Sequence, residues 1–191
     1  MTYTIPNILS ISRLALVPVL VALAYFGEAQ AFLAVLAVSL LSDAFDGYIA
    51  RKLNQTTELG ARLDSWGDVL TYGAMILGLY WVWPEVFDAQ VWFLVAATLS
   101  FVVPVLAALM KFGVYPSYHT WAAKTAAVLM APAFYWLTLG AEEGFFQAVI
   151  VFHIIVACEE LAITLLLDEP RADVRSVSSL SSIAKSDDKQ R

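Results

Sequence analysis

Asp43-Ala44-Phe45-Asp46-Gly47-Tyr48-Ile49-Ala50-Arg51, then eight residues, then Gly60-Ala61-Arg62-Leu63-Asp64-Ser65-Trp66-Gly67-Asp68, is the stretch on which the reading of this chain turns. It sets four aspartates among residues that are otherwise strongly apolar: 60% of the 191 residues are hydrophobic and only 15% charged. A soluble domain is about half apolar and about a quarter charged. Lipid is the solvent that accommodates the surplus. An aspartate at the centre of a spanning helix costs about 2.5–3.5 kcal/mol on insertion scales, so four approach ~10 kcal/mol before any discount for lying near the interface. Total stability is only about 5–15 kcal/mol. Four such residues therefore need a purpose.

Helical spacing supplies the first part of it. Asp43 and Asp46 are three apart and share one helix face, as do Asp64 and Asp68, four apart. Gly47, Ala50 and Gly60 extend those faces with almost no side chain. The polar run Asn54-Gln55-Thr56-Thr57 reads as a turn between two antiparallel helices, so the carboxylates can converge with room left for a ligand. A bound divalent cation offsets both burial and mutual repulsion. All-oxygen ligation suits Mg²⁺, Mn²⁺ or Ca²⁺ rather than zinc. The plainer alternative is an ion-pair network of Asp43 and Asp46 with Arg51 and Arg62.

Working outward, the apolar residues fall into six blocks at about 8–27, 30–52, 60–83, 90–111, 119–139 and 145–167. Each is near the ~20 residues that a bilayer-spanning helix needs. They do not alternate as barrel strands do, and in lipid the backbone must pair internally. The expectation is an all-α membrane protein of six transmembrane helices. The first block lacks a basic segment ahead of it and a good small-residue cleavage pattern, so it reads as a retained helix. One domain is expected over 1–168, followed by a polar, poorly ordered tail over 169–191.

Charge sets the expected orientation. Of the eleven Lys and Arg, Arg13 lies in the first block and the other ten fall in alternate links, in the helix ends beside them or in the tail, whereas the opposite links carry Glu28, Glu85, Asp88, Glu142 and Glu143. By the positive-inside rule the basic side is cytoplasmic, with both termini inside. The net charge of −6 argues against nucleic-acid binding. The single cysteine, Cys158, excludes an intrachain disulfide and reads as a packing residue.

In this stretch the sequence resembles the CDP-alcohol phosphatidyltransferase family, whose signature is D-x-x-D-G-x-x-A-R, eight residues, then G-x-x-x-D-x-x-x-D. Asp43, Asp46, Gly47, Ala50, Arg51, Gly60, Asp64 and Asp68 match every defined position, and Ile5-Pro6-Asn7-Ile8-Leu9 with Arg13 is similar to the start of many members. The resemblance implies a membrane phospholipid-synthesis enzyme that moves a phosphatidyl group from a CDP-linked lipid to an alcohol, with CMP released. It implies two Mg²⁺ or Mn²⁺ ions held by Asp43, Asp46, Asp64 and Asp68, and Asp68 as general base. It also implies that the nucleotide approaches Gly47, Ala50, Arg51 and Gly60, and that the protein is a homodimer. The site would open to the cytoplasm from the inner membrane.

The acceptor alcohol is open at this level. Many phosphatidylglycerophosphate and cardiolipin synthases of the family carry Pro after the third aspartate and Lys after the fourth; here Ser65 and Val69 stand there, more like members that use serine, while the N-terminus leans toward the glycerophosphate group. Arg13, Lys124, Arg171 and Glu160 lie at similar depths and either line a basic pocket for a phosphorylated acceptor or, for Arg13 and Lys124, snorkel to the interface. His119 and His153 read as interfacial and structural, and the Trp residues as belts near the block ends. A small transporter using the carboxylates and a non-enzymatic scaffold are the rival classes. The clustering of the acids toward one face, the absence of a visible repeat and the retention of all four aspartates weigh against both.

Overall fold

The described residues form six α-helices: α1 (Ile5–Tyr25), α2 (Ala29–Lys52), α3 (Glu58–Val82), α4 (Pro84–Phe112), α5 (Trp121–Thr138) and α6 (Gly144–Leu166). The structure is a computed structural model that describes residues 5–52, 58–113, 118, 120–170, 174 and 176, excluding the side chains at 5, 6, 8, 46–51, 58, 59 and 61. No strand occurs among the described residues. The 54–57 turn and His119, Arg171 and Arg175 fall outside them. The chain divides into two compact units, Met1–Ala89 and Gln90–Arg191.

In the first unit the reversal after α1 is made by Gly27, whose φ of 74° is the left-handed conformation that favours glycine. The Glu28 amide reaches back to the Leu23 carbonyl at 2.9 Å and the Phe26 amide to the Ala22 carbonyl at 3.0 Å, closing the end of α1. α1 packs along both α2 and α3, while α2 and α3 meet each other at few points. The expected antiparallel pair is thus bridged by the first helix. Leu20 and Ala24 of α1, Phe32 and Leu36 of α2, and Ala74 and Leu79 of α3 are buried at this centre. Gly78 admits the Phe32 ring, since a Cβ there would lie 2.9 Å from Cε1. Rings then close one end of the unit: Tyr25 on Trp81 at 5.7 Å, Phe32 on Trp83 at 6.1 Å and Tyr80 on Phe87 at 5.3 Å between centroids.

In the second unit α5 packs on α6. Thr120 caps α5, its hydroxyl accepting from the Ala123 amide at 3.0 Å. α4 and α6 are joined start to start and end to end. Gln90 Nε2 donates to the Glu143 carboxylate at 2.6 Å, and Gln147 Nε2 donates to Gln90 Oε1 at 3.3 Å. At the other end Lys111 Nζ donates to the Thr164 and Leu165 carbonyls at 3.0 and 2.9 Å, satisfying acceptors that the end of α6 leaves open. The two helices are therefore parallel, and the rise from Gln90 to Lys111 is about 32 Å at ~1.5 Å per residue. Val174, assigned to the tail by sequence, is buried with Tyr118, Ile163 and Leu167.

Beside the apolar core, polar residues are buried while large apolar ones face outward. Asn7, Ser10, Arg13, Ser39, Thr71, Gln90 and Thr120 are inside, whereas Trp92, Met110, Val128 and Leu165 are each more than 70% exposed. Lipid, not water, is the solvent for such a surface. α4 and α6 are long and apolar enough to cross a membrane, and Leu9–Tyr25 of α1 and Ala29–Phe45 of α2 are apolar as well. Cys158 is exposed rather than packed: it lies on the outward side of an apolar helix, where it needs no partner.

The Lys111 bridge carries a prediction. Lys111→Met removes two charge-assisted hydrogen bonds and should lower stability by about 1–3 kcal/mol, whereas Lys111→Arg should retain most of it, as read by thermal unfolding in detergent.

Candidate active site

A single arginine sits where the carboxylates meet. Arg13 comes from the middle of α1 and is 1% exposed. Its Nη1 pairs with Oδ1 of Asp43 on α2 and lies 3.2 Å from Oδ1 of Asp68 on α3. Its Nη2 lies 3.1 Å from Oδ1 of Asp64 and donates to the Asp64 main-chain carbonyl at 2.6 Å. The planar guanidinium fork can touch three carboxylates and a carbonyl at once, which an ammonium cannot. Nε is buried and has no hydrogen-bond partner among the described residues.

The approach of Arg13 requires Gly67. A Cβ at that position would collide with the guanidinium, lying 2.7 Å from Cζ. The heptad-like spacing Gly60, Asp64, Gly67, Asp68 therefore clears a path for α1 as well as aligning carboxylates. Beneath the cluster, one turn deeper along each helix, the Ser39 and Thr71 hydroxyls are buried without a partner among the described residues. The carboxylates themselves open outward: the side chains of Asp43, Asp64 and Asp68 are 35, 48 and 58% exposed, against 2% for Arg13. The site has a cationic floor and an accessible acidic rim, with Asp68 the most accessible member.

Ligand oxygens of Asp43, Asp64 and Asp68 all lie within 4.8 Å of one another. An oxygen-ligated ion with bonds of about 2.0–2.6 Å spans such separations. The donor set fits a hard divalent cation, and Asp43, Asp64 and Asp68 can hold it together.

Of the residues singled out by sequence, three of the four aspartates converge as the spacing requires. The side chains of Asp46, Gly47, Ala50 and Arg51 lie outside the described residues, although their backbone continues α2. Gly60 is half-buried in the first turn of α3. The ion-pair partner proves to be Arg13 rather than Arg62, which is exposed. Arg13 does not snorkel. Sequence offered a signal for it, an unaccompanied arginine inside an apolar block at the depth of Asp43, but spacing cannot tell which neighbour such a residue meets. Lys124 is exposed, with Nζ 5.5 Å from the centroid of the Trp121 ring, as an interfacial lysine would be. His153 Nδ1 lies 2.9 Å from the Val149 carbonyl of its own helix, a local role.

Residues 3–166 match the CDP-alcohol phosphatidyltransferase family. The chain belongs to that family and is by class a transferase of phospholipid biosynthesis. It is 34% identical over 147 residues to a cardiolipin synthase (CMP-forming) of Streptomyces coelicolor, covering 74% of this chain and 67% of the relative. It is 37% identical over 78 residues to a CDP-diacylglycerol–glycerol-3-phosphate 3-phosphatidyltransferase of Rickettsia bellii, covering 39% of this chain and 43% of that one. An enzyme of the same name from Salmonella choleraesuis is 38% identical over 81 residues, covering 40% and 44%. The chain thus spans about two thirds of the first relative and less than half of the other two. No solved structure matches.

Two glycine substitutions separate close approach from helix propensity. Gly67→Ala should cost about 1–3 kcal/mol, because the guanidinium or α3 must shift. Gly73→Ala, whose Cβ meets nothing within 4 Å, should be neutral or stabilising by up to about 1 kcal/mol. Thermal unfolding of both variants in one detergent makes the comparison.

Proposed function

We propose that this chain transfers a phosphatidyl group from CDP-diacylglycerol to an alcohol acceptor such as glycerol 3-phosphate, releasing CMP. The observation that carries the reading is the convergence of Asp43, Asp64 and Asp68, from two helices, within 4.8 Å at the family's signature positions. The names of the relatives support the donor and the acceptor class. Six spans, both termini on the cytoplasmic side, a site opening to the cytoplasm from the inner membrane and a homodimer belong to the same proposal. The one-sided placement of Lys and Arg supports the orientation.

Asp43, Asp46, Asp64 and Asp68 would hold the divalent cations, two in number; Mg²⁺ or Mn²⁺ would suit the all-oxygen donors. When bound, the cation supplies charge neutralisation to the pyrophosphate oxygens and makes the phosphorus a better electrophile. Asp68, at the exposed rim of the cluster, accepts the proton of the acceptor hydroxyl. That oxygen forms a bond to the lipid-side phosphorus while the bond from phosphorus to the CMP oxygen breaks, and CMP carries away the electron pair. Gly47, Ala50 and Gly60 leave the backbone accessible to the nucleotide, and Arg51 contacts phosphate. Placing the cluster two to three turns from the helix ends brings a head group to the acids while the acyl chains stay in lipid.

The test is CMP release by purified protein in detergent or nanodiscs with CDP-diacylglycerol, Mg²⁺ or Mn²⁺, and a panel of glycerol 3-phosphate, serine and other alcohols. Asp68→Asn should lower turnover by about 100-fold or more with thermal unfolding near that of the parent. Near-normal activity in that variant removes the assignment of the base. Chelation with EDTA should stop CMP release and added Mg²⁺ or Mn²⁺ restore it; activity that survives chelation removes the metal.

A further inference from the structure

We infer that Arg13 is a positioning residue that acts as an internal counter-ion of the Asp43, Asp64 and Asp68 cluster and competes with the divalent cation for it. The inference rests on the metal reading proposed above and goes beyond it by giving a role to a residue outside the acidic signature.

Four observations lead here. The guanidinium is nearly sealed, with 2% of its side chain exposed, while the carboxylates it touches are 35–58% exposed. It therefore approaches the acids from the closed side, leaving the open side to a ligand. It engages Oδ1 of all three carboxylates, and a carboxylate has a second oxygen with lone pairs of its own. Its fork is fixed further by the Asp64 main-chain carbonyl at 2.6 Å, and its entry depends on the missing Cβ of Gly67. Finally, Nε is buried with no partner among the described residues, while both Nη atoms are turned to the acids.

The physical consequence has two signs. Without an ion, three carboxylates held close together repel one another, and the guanidinium holds them in place. With an ion, the guanidinium and the cation are like charges within a few ångströms in a partly dry site, where repulsion is only weakly screened. Arg13 must then stabilise the ion-free protein and weaken ion binding by linked amounts, since coupling between two ligands of one site is reciprocal. An ion bound this way remains exchangeable, and the acids keep their geometry between occupancies.

The experiment is thermal unfolding of the full chain in nanodiscs across a series of Mg²⁺ and Mn²⁺ concentrations, starting in EDTA. The parent should be stabilised by the ion, as any ligand of the folded state stabilises it. Arg13→Gln should melt lower in EDTA, gain more from the ion and reach half its effect at about tenfold lower concentration. Arg13→Lys, which keeps the charge without the fork, should bring that concentration back toward the parent value while staying less stable in EDTA. An Arg13→Gln midpoint equal to the parent's makes Arg13 merely structural and overturns the inference; a higher midpoint shows that it assists the ion and also overturns it. If Arg13→Gln does not fold in either buffer, Gly67→Ala decides, because it pushes the guanidinium off the acids: a lower midpoint supports the inference and an unchanged or higher one overturns it. A parent protein indifferent to both ions removes the metal reading and this inference with it, an outcome distinct from a parent that responds and a variant that responds identically.

Discussion

A guanidinium taken almost wholly out of water has to be met by charge and by hydrogen-bond acceptors, because an isolated buried ion is too costly to keep. In this chain Arg13 is met by three carboxylates and a main-chain carbonyl, drawn from two helices that scarcely touch each other. That requirement explains why α1, and not the link between α2 and α3, is the centre of the first unit. It explains a glycine at position 67, where any side chain would occupy the space of the guanidinium. It also places the polar centre well inside the apolar length of three helices, with the aromatic closure of Tyr25, Trp81 and Trp83 toward the other end.

The two units use polar groups in different ways. In the first, polarity is concentrated at one depth, and the carboxylates face outward from a cationic floor, as a site that must admit a charged ligand requires. In the second, polar pairs hold the two ends of α4 and α6 and leave the length between them apolar. The same division shows in the helices themselves: α4 and α6 are long and apolar enough to cross a membrane, while α2 and α3 carry the aspartates.

The helical character of the chain and the approach of three of its aspartates could be read from sequence because each depends on local periodicity. Apolar blocks of about twenty residues give helices, and separations of three and four put Asp43 with Asp46 and Asp64 with Asp68 on common faces. Convergence of Asp43, Asp64 and Asp68 followed from the short link. What did not follow was the identity of the helix between them, since nothing in the spacing of α2 and α3 reports that α1 wedges against both. For the same reason Arg13 had two open readings, and neither matched the floor of the acidic cluster. Cys158 shows the limit of composition: within an apolar helix, a cysteine facing out and one facing in have the same sequence surroundings. Val174 shows the reverse case, a lone apolar residue in a polar segment that finds a pocket among Tyr118, Ile163 and Leu167.

The paired ties between α4 and α6 set two polar boundaries on an apolar helix pair. Gln90 with Glu143 marks one boundary and Lys111 with the Thr164 and Leu165 carbonyls the other, about 32 Å apart along the helix, close to the ~30 Å of an average hydrocarbon core. Tilting would shorten the projected span only slightly, and stretching is not open to a helix. In a membrane of longer lipids one of these charged boundaries would be drawn into hydrocarbon unless the lipids around it thinned, at a modest cost for each ångström of mismatch.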